Sequence, residues 1–335
     1  MTPAPSQVLQ CWTMDTPYAH LSPTMILDAI ESIGLYPSGG LLALNSYENR
    51  VYQIEMDDGT FLVGKFYRPE RWSNAAILEE HAFTLELEQA EISVVTPISI
   101  DEQTLFNHED FRFSLFRRQG GHPPNLENED DLEVLARTIG RMHALGRVQS
   151  FQHRRGLDVD TMGLASREFL LASPFIPPDI YQAYESTTEH LIDRIAPLFK
   201  DLPVQRIHGD CHMGNVLWRD DTPHFVDFDD CVTGPAIQDL WMLLSGERAE
   251  QTYQLGIILD AYQEFCEFEV ATINLIEPLR TLRIMHHAAW IGRRWQDPAF
   301  PLAFPFFEDV RYWSEHLLSL REQMAILDDP PLTYM

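Results

Sequence analysis

The chain has 335 residues, enough to bury one large core or two lobes. Its 51 acidic against 24 basic side chains give a net charge of -27, which repels phosphate backbones and anionic bilayers and argues against nucleic-acid and membrane partners. Four scattered cysteines without a C-x-x-C pair, no basic-then-apolar leader and no membrane-length apolar run lead to the expectation of a cytoplasmic protein, and a monomer is expected.

Residues 1–20 carry Pro3, Pro5 and Pro17 and are expected to be irregular. Ser22-Pro23 reads as an N-cap followed by proline at the first helical position, opening a short helix over Met25 to Ser32 that Gly34 stops. Strands are predicted at Leu41–Leu44, Val51–Ile54 and Phe61–Phe66, the last two joined by the turn residues Asp57-Asp58-Gly59. Lys65 lies inside the third strand. It fits either a surface-facing residue or a lysine that contacts nucleotide phosphates. A helix follows over Ala75 to Leu87, with Leu78, Ala82 and Leu85 on one stripe. Glu79 and Glu80 on it are both candidates to orient Lys65. Between the first two strands, Asn45-Ser46-Tyr47-Glu48-Asn49 contains no glycine, yet Ser46 can offer a hydroxyl and an N–H to phosphate.

Further strands are expected at Ile98–Ile100, Thr104–Phe106 and Phe111–Phe116, and Arg117 to Gly121 reads as a hinge. From Asp130 the pattern turns helical, with Leu132, Leu135, Ile139 and Met142 on one face and His143 as a packed residue. Residues 151–178 read as a connector. Helices are then predicted over 179–199, 236–245, 250–266, 273–295 and 306–326. A basic stripe, Arg280, Arg283, His287 and Arg294, fits salt bridges to the surplus carboxylates or a wall of an acceptor site.

The stretch with the most chemistry runs from Ile207 to Asp230. Asp210 is followed five positions later by Asn215, and Asp227 ends a short apolar run. Phosphoryl transfer needs an acceptor hydroxyl held in line and charge neutralised on the transferred group. Asp210 suits the acceptor proton; Asn215 and Asp227 supply hard oxygens for Mg2+. Val216-Leu217-Trp218 and Phe225-Val226 read as a hairpin across residues 219–223, which would bring Asn215 close to Asp227. A rival is zinc hydrolysis, since His208, Asp210 and His212 alternate as on one face of a strand. Cys211 and Cys231 flank the two carboxylates; they fit packed small residues better than oxidation-sensitive switches.

Together these stretches resemble the stress response kinase A family, bacterial Ser/Thr protein kinases with an aminoglycoside-phosphotransferase-like fold. The resemblance rests on L-N-S-Y-E-N-R-V-Y-Q at 44–53, K-F-Y-R-P-E-R-W at 65–72, I-L-E-E-H at 77–81, H-G-D-C-H-M-G-N at 208–215, F-V-D-F-D-D at 225–230, G-P-A-I-Q-D-L-W-M-L-L at 234–244 and R-R-W-Q-D-P-A-F-P at 293–301. It implies an α+β fold of two lobes: an irregular segment over 1–20, an antiparallel-sheet lobe over 21–116, a hinge over 117–121 and a mainly helical lobe over 122–335. It implies Asp210 and Asp227 as catalytic carboxylates, Asn215 and Asp227 as Mg2+ ligands, and Ser46 and Lys65 as ATP contacts. The helix-to-strand interval resembles that of aminoglycoside-type kinases and selects Glu80 over Glu79 as the partner of Lys65. In kinases a carboxylate at the place of Asp239 braces the catalytic loop. The implied activity is ATP- and Mg-dependent phosphorylation of protein Ser/Thr in a stress response; a small-molecule kinase of aminoglycoside, choline or homoserine type is the alternative. The sequence departs from protein kinases at large: it has no glycine-rich loop, no Asp-Phe-Gly and no Ala-Pro-Glu segment.

Overall fold

The computed structural model describes residues 17–334. The expected irregular segment lies outside them except for residues 17–20, which form a turn. Ser22 caps α1 (Pro23–Glu31) by accepting the Met25 N–H at 3.2 Å, and Pro23 fits a first turn whose N–H groups have no helical partner anyway. Ile26, Ala29 and Ile30 of α1 pack against an antiparallel sheet of β1 (Pro37–Ala43), β2 (Arg50–Met56), β3 (Phe61–Phe66), β4 (Phe106–His108) and β5 (Phe111–Arg117). The strand order is β1-β2-β3-β5-β4. The segment expected as a strand over 98–100 makes only isolated bridges, Pro97 with Phe116 and Ile100 with Gln103. Proline donates no ladder bond, and the left-handed Asp101 and Glu102 turn the chain away before β4.

α2 (Asn74–Gln89) is capped by Ser73 and present as expected, but its inward face is not the predicted stripe. Leu78 and Ala82 are exposed, while Ala76, Ile77, Glu80, His81, Phe83, Thr84 and Leu87 are buried. Three of those seven residues are polar, and each finds a partner in an ion pair or hydrogen bond, so apolar spacing points to the wrong side. His81, for example, sits between the Tyr67 hydroxyl and the Thr104 hydroxyl, 2.8 Å from each.

The remainder is mainly helical: α3 (Glu129–Gly146), a π-helical turn at Asp160–Leu164 running into α4 (Ala165–Ala172), α5 (Pro178–Ile195), α6 (Ile237–Trp241), α7 (Arg248–Tyr262), α8 (Ile276–Arg293), α9 (Ala299–Ala303) and α10 (Val310–Ile326). The connector expected over 151–178 thus contains a helix. Gly163 makes it fit, because the missing side chain lets the π turn approach Leu282 of α8. Between α5 and α6 lie short strands, β6 (Gln205–Ile207), β7 (Val216–Arg219), β8 (Thr222–Phe225) and β9 (Val232–Gly234). β7 and β8 form the expected hairpin with Val216 opposite Phe225. Its turn is tighter than predicted: Asp220 and Asp221 both take positive φ, as a two-residue primed turn requires, so Thr222 and Pro223 join the strand.

Candidate active site

A cleft of about 1270 Å³ separates sheet and helical lobe. Val63, Pro97, Phe116, Leu217 and Val226 line one part, apolar enough for a flat ring beside the backbone of residues 115–118. Beyond it the lining becomes charged.

Lys65 projects from β3 with its side chain only 8% exposed. Its Nζ lies 3.1 Å from Asp227 Oδ1, 3.2 Å from Asp229 Oδ1 and 3.7 Å from Glu80 Oε1. Burial works against the ammonium, but Asp229, Glu80 and Asp227 outweigh it and hold its pKa well above the ordinary lysine value. Glu79 points elsewhere: its carboxylate accepts the backbone N–H groups of Gln152, His153 and Arg154.

The segment expected to carry Asp210 leaves β6 at Ile207. Asp239 accepts the N–H groups of His208 and Gly209 at 2.7 and 2.8 Å, and His143 holds the same carboxylate at 3.0 Å. All this is buried. Gly209 has φ +83°, and a Cβ there would collide with the Asp230 carbonyl oxygen. The loop is therefore fixed from below, and Asp210 faces the cleft. Its Oδ1 accepts from Arg283 Nη1 of α8 at 2.6 Å, and its Oδ2 is 3.5 Å from His212 Nε2. Burial raises the Asp210 carboxyl, but the hydrogen bond from His212 and the Arg283 guanidinium outweigh it and hold the group below the usual carboxylate range.

Asn215 donates its Nδ2 to the Asp210 backbone carbonyl at 2.9 Å, which leaves its side-chain oxygen free to face away. Asp227 takes left-handed φ 59° and ψ 61°, a conformation unusual for a side-chain-bearing residue and often held at functional positions. Its side chain is 56% exposed into the cleft. One open carboxylate and one amide oxygen are the donor set that suits Mg2+, which keeps waters and phosphate oxygens as its other ligands. The zinc triplet does not assemble. His208 is buried, with Nε2 on the Val226 carbonyl at 2.9 Å and Nδ1 accepting the Asp210 N–H at 3.3 Å, so neither nitrogen is free. Ser46 lines the cleft, but its hydroxyl donates to the Asn49 carbonyl at 3.1 Å and so tightens the glycine-free loop.

Sequence reasoning passed over several residues of this site. Asp229 is buried between Lys65 and Arg71, and Arg71 also bonds Asp230 at 2.6 Å. Burial raises Asp229, but Arg71, Lys65 and Arg154 outweigh it and hold it well below the carboxylate range. Arg154, in the presumed connector, donates to the carbonyls of Ala76, Asp229 and Cys231 and so ties α2 to the Asp227 segment. Nothing in local spacing marks these as inward-facing. The basic stripe divides between salt bridges, as expected, and the lining of the cleft. Arg280 pairs with Glu277 at 3.2 Å and Arg294 with Glu48 at 2.5 Å, while Arg283 pairs with Asp210 itself and lines the cleft. Cys211 and Cys231 are fully buried, and burial raises both thiols.

Comparison with known proteins places the fold and the family. The phosphotransferase enzyme family (APH) matches residues 41–273. Stress response kinase A of Escherichia coli O157:H7 is 46% identical over 313 residues, 93% of this chain and 95% of that protein. A Salmonella typhimurium LT2 relative, 44% identical over the same shares, is named serine/threonine protein kinase RdoA. Among solved structures, an amicoumacin kinase in complex with AMP-PNP, Ca2+ and Ami superposes with TM-score 0.70 at 20% identity, covering 92% of this chain and 94% of that one. A microcompartment-associated aminopropanol kinase does so with TM-score 0.69 at 16% identity, covering 90% and 98%. The fold is thus the expected α+β, aminoglycoside-kinase-like fold, with an antiparallel sheet at the N-terminal side and a mainly helical remainder. The chain belongs to the phosphotransferase enzyme family and, within it, to the stress response kinase A proteins.

Proposed function

We propose that this phosphotransferase moves the γ-phosphoryl group of ATP to Ser or Thr hydroxyls of proteins, with Mg2+, as part of a cytoplasmic stress response. The observation that carries the reading is the convergence of Lys65, Glu80 and Asp227 in one cleft with Asp210 and Asn215. In this reading the acceptor oxygen attacks the γ-phosphorus, the bond to the β,γ-bridging oxygen breaks, and ADP leaves with that electron pair. The acceptor proton passes to Asp210. Lys65, fixed by Glu80, steadies the phosphates, and the Asn45–Asn49 loop with Ser46 covers them. Mg2+, held by Asn215 and Asp227, supplies charge neutralisation on the phosphate oxygens when bound.

Support for a protein acceptor comes from relatives at 44–46% identity, one of them named a Ser/Thr protein kinase. The small-molecule kinases among the solved structures share the fold at 20% identity or less, too distant to carry an acceptor over. Among the described residues no helix is long and apolar enough to cross a membrane. The test is one incubation with γ-labelled ATP, Mg2+, a protein acceptor and a panel of aminoglycoside, choline and homoserine. Label on protein Ser or Thr is expected. Label only on a small alcohol would replace the protein acceptor while keeping the ATP site.

A further inference from the structure

A second cavity, of about 420 Å³, opens between α8 and α10 and shares Arg283 and His287 with the main cleft. Trp241, Arg280, Tyr312 and His316 complete most of its wall. In a chain with 51 acidic and 24 basic side chains, this wall is unusual for its unspent guanidinium donors. Arg283 uses Nη1 on Asp210, and among the described residues its Nε and Nη2 bond nothing. Arg280 lies 5.1 Å over the Trp241 ring, and its Nη2 is shielded from solvent without a hydrogen-bond partner. A buried orphan donor is rare and commonly marks a place for a ligand or water. Of the acidic groups, Glu315 stands on the wall itself and pairs with Arg311 at 2.7 Å, Glu277 lies 3.2 Å from Arg280, and Asp210 pairs with Arg283. Burial takes His316 down to about 4, so its ring is a neutral hydrogen-bonding group at physiological pH, and partial desolvation also lowers His287.

We propose that this cavity is the far half of the acceptor site and binds a carboxylate or phosphate group of the molecule whose hydroxyl is phosphorylated at Asp210, with Arg280 and Arg283 as its forks. The proposal rests on the kinase reading above. Arg283 joins the two halves, since it touches Asp210 at one end of its fork and faces the cavity with the other. Arg280 and Arg283 are one helical turn apart, about 5 Å along the axis. An extended chain advances about 3.3 Å per residue, so the anionic group belongs one to three residues from the acceptor Ser or Thr. Bidentate recognition by arginine suits both carboxylate and phosphate.

Calorimetry on the full chain tests the cavity with three probes: free phosphoserine, a dodecapeptide with one Ser flanked by Glu, and the same peptide flanked by Lys. The expected result is binding of the Glu peptide, phosphoserine or both, little binding of the Lys peptide, and a loss of about tenfold or more in Arg280→Gln with ATP affinity unchanged. Arg280→Lys, which keeps charge but not the fork, should fall between. Which anionic probe binds tells whether the group is an acidic side chain or a phosphate. Equal binding by wild type and Arg280→Gln, or preference for the Lys peptide, would overturn the proposal. Label transfer from ATP is then measured on the same peptides. Arg280-dependent binding without transfer to any bound acceptor would overturn the acceptor role, whereas transfer to the Lys peptide alone would overturn the anionic preference and leave the kinase reading standing.

Discussion

Lys65 illustrates why single residues in this cleft resist simple replacement. Its ammonium neutralises Glu80 and Asp229, both buried, and reaches the exposed Asp227. Removing one partner of a buried ion pair leaves an uncompensated charge, which costs about 3–5 kcal/mol. Lys65→Met should therefore lower chemical-denaturation stability by roughly that amount as well as impair turnover. Asp210 and Asp227 should separate instead. Asp210→Ala is expected to cut turnover by about 10³-fold while ATP affinity stays within about threefold, because the proposed base touches the acceptor rather than ATP. Asp227→Ala should lose turnover and at least about tenfold in Mg-ATP affinity, because it is one of the two proposed metal ligands. Equal ATP affinity in both variants, measured by calorimetry, would contradict this division. Asp210, Asn215 and Asp227 were legible because motif spacing and oxygen chemistry coincide in a short stretch. Asp229, Arg71 and Arg154 were not, because most of their partners lie 75 or more residues away in sequence and only the folded chain brings them together.

At the scale of elements, the hairpin and the loop beneath Asp210 decide how firmly the site is held. Asp239 takes two backbone N–H groups from its place on α6, and His143 and Tyr262 complete a fully buried chain of hydrogen bonds from α3 and α7. Asp239→Asn turns an acceptor oxygen into a donor facing an N–H. It should cost about 3 kcal/mol or more of stability and displace Asp210, so turnover falls with ATP binding largely kept. A variant with wild-type thermal stability and turnover would remove that role. Element existence was readable from caps and turns, as at Ser22-Pro23 and Asp57-Asp58-Gly59. The inward face of α2 was not, since Glu80, His81 and Thr84 are buried through charge pairing and hydrogen bonds that apolar periodicity does not register. The helix Ala165–Ala172 hid inside a glycine- and proline-marked stretch because packing on α8 overrides local propensity.

Across the whole molecule, ion pairs join the two lobes at the mouth of the cleft. Asp297 receives Arg50 at 2.8 Å and Arg68 at 2.6 Å from the sheet side, and Glu48 of the Asn45–Asn49 loop receives Trp290 of α8 and Arg294 just past its end. The loop without glycines is thus anchored by charge to the helical lobe. Two buried histidines and the half-buried His286 add a pH dependence: desolvation lowers His81 to about 3 and His286 and His316 to about 4. In the unfolded chain these groups take up protons near pH 6.5, and in the folded chain they do not. Their stabilisation is full above that pH and is lost as pH falls, at up to about 1.4 kcal/mol per pH unit for each histidine. Thermal stability should decline between pH 6.5 and 4, before the low-pKa carboxylates Asp210 and Asp229 titrate, and His316→Phe should flatten the decline. A melting temperature constant over that window would contradict the assignment.

The central claim is a Mg2+-dependent nucleotide site built on Lys65, Asn215 and Asp227. Its most direct test is the melting temperature with ATP, in Mg2+ and in excess chelator, for wild type and Asp227→Ala. Binding to the native state raises stability by mass action, about 2.7 kcal/mol at a hundredfold excess over Kd. The account predicts a rise of roughly 5 °C for wild type in ATP with Mg2+, much less with chelator, and little response in Asp227→Ala. A nucleotide shift that ignores both Mg2+ and Asp227, or no shift at all, would contradict it.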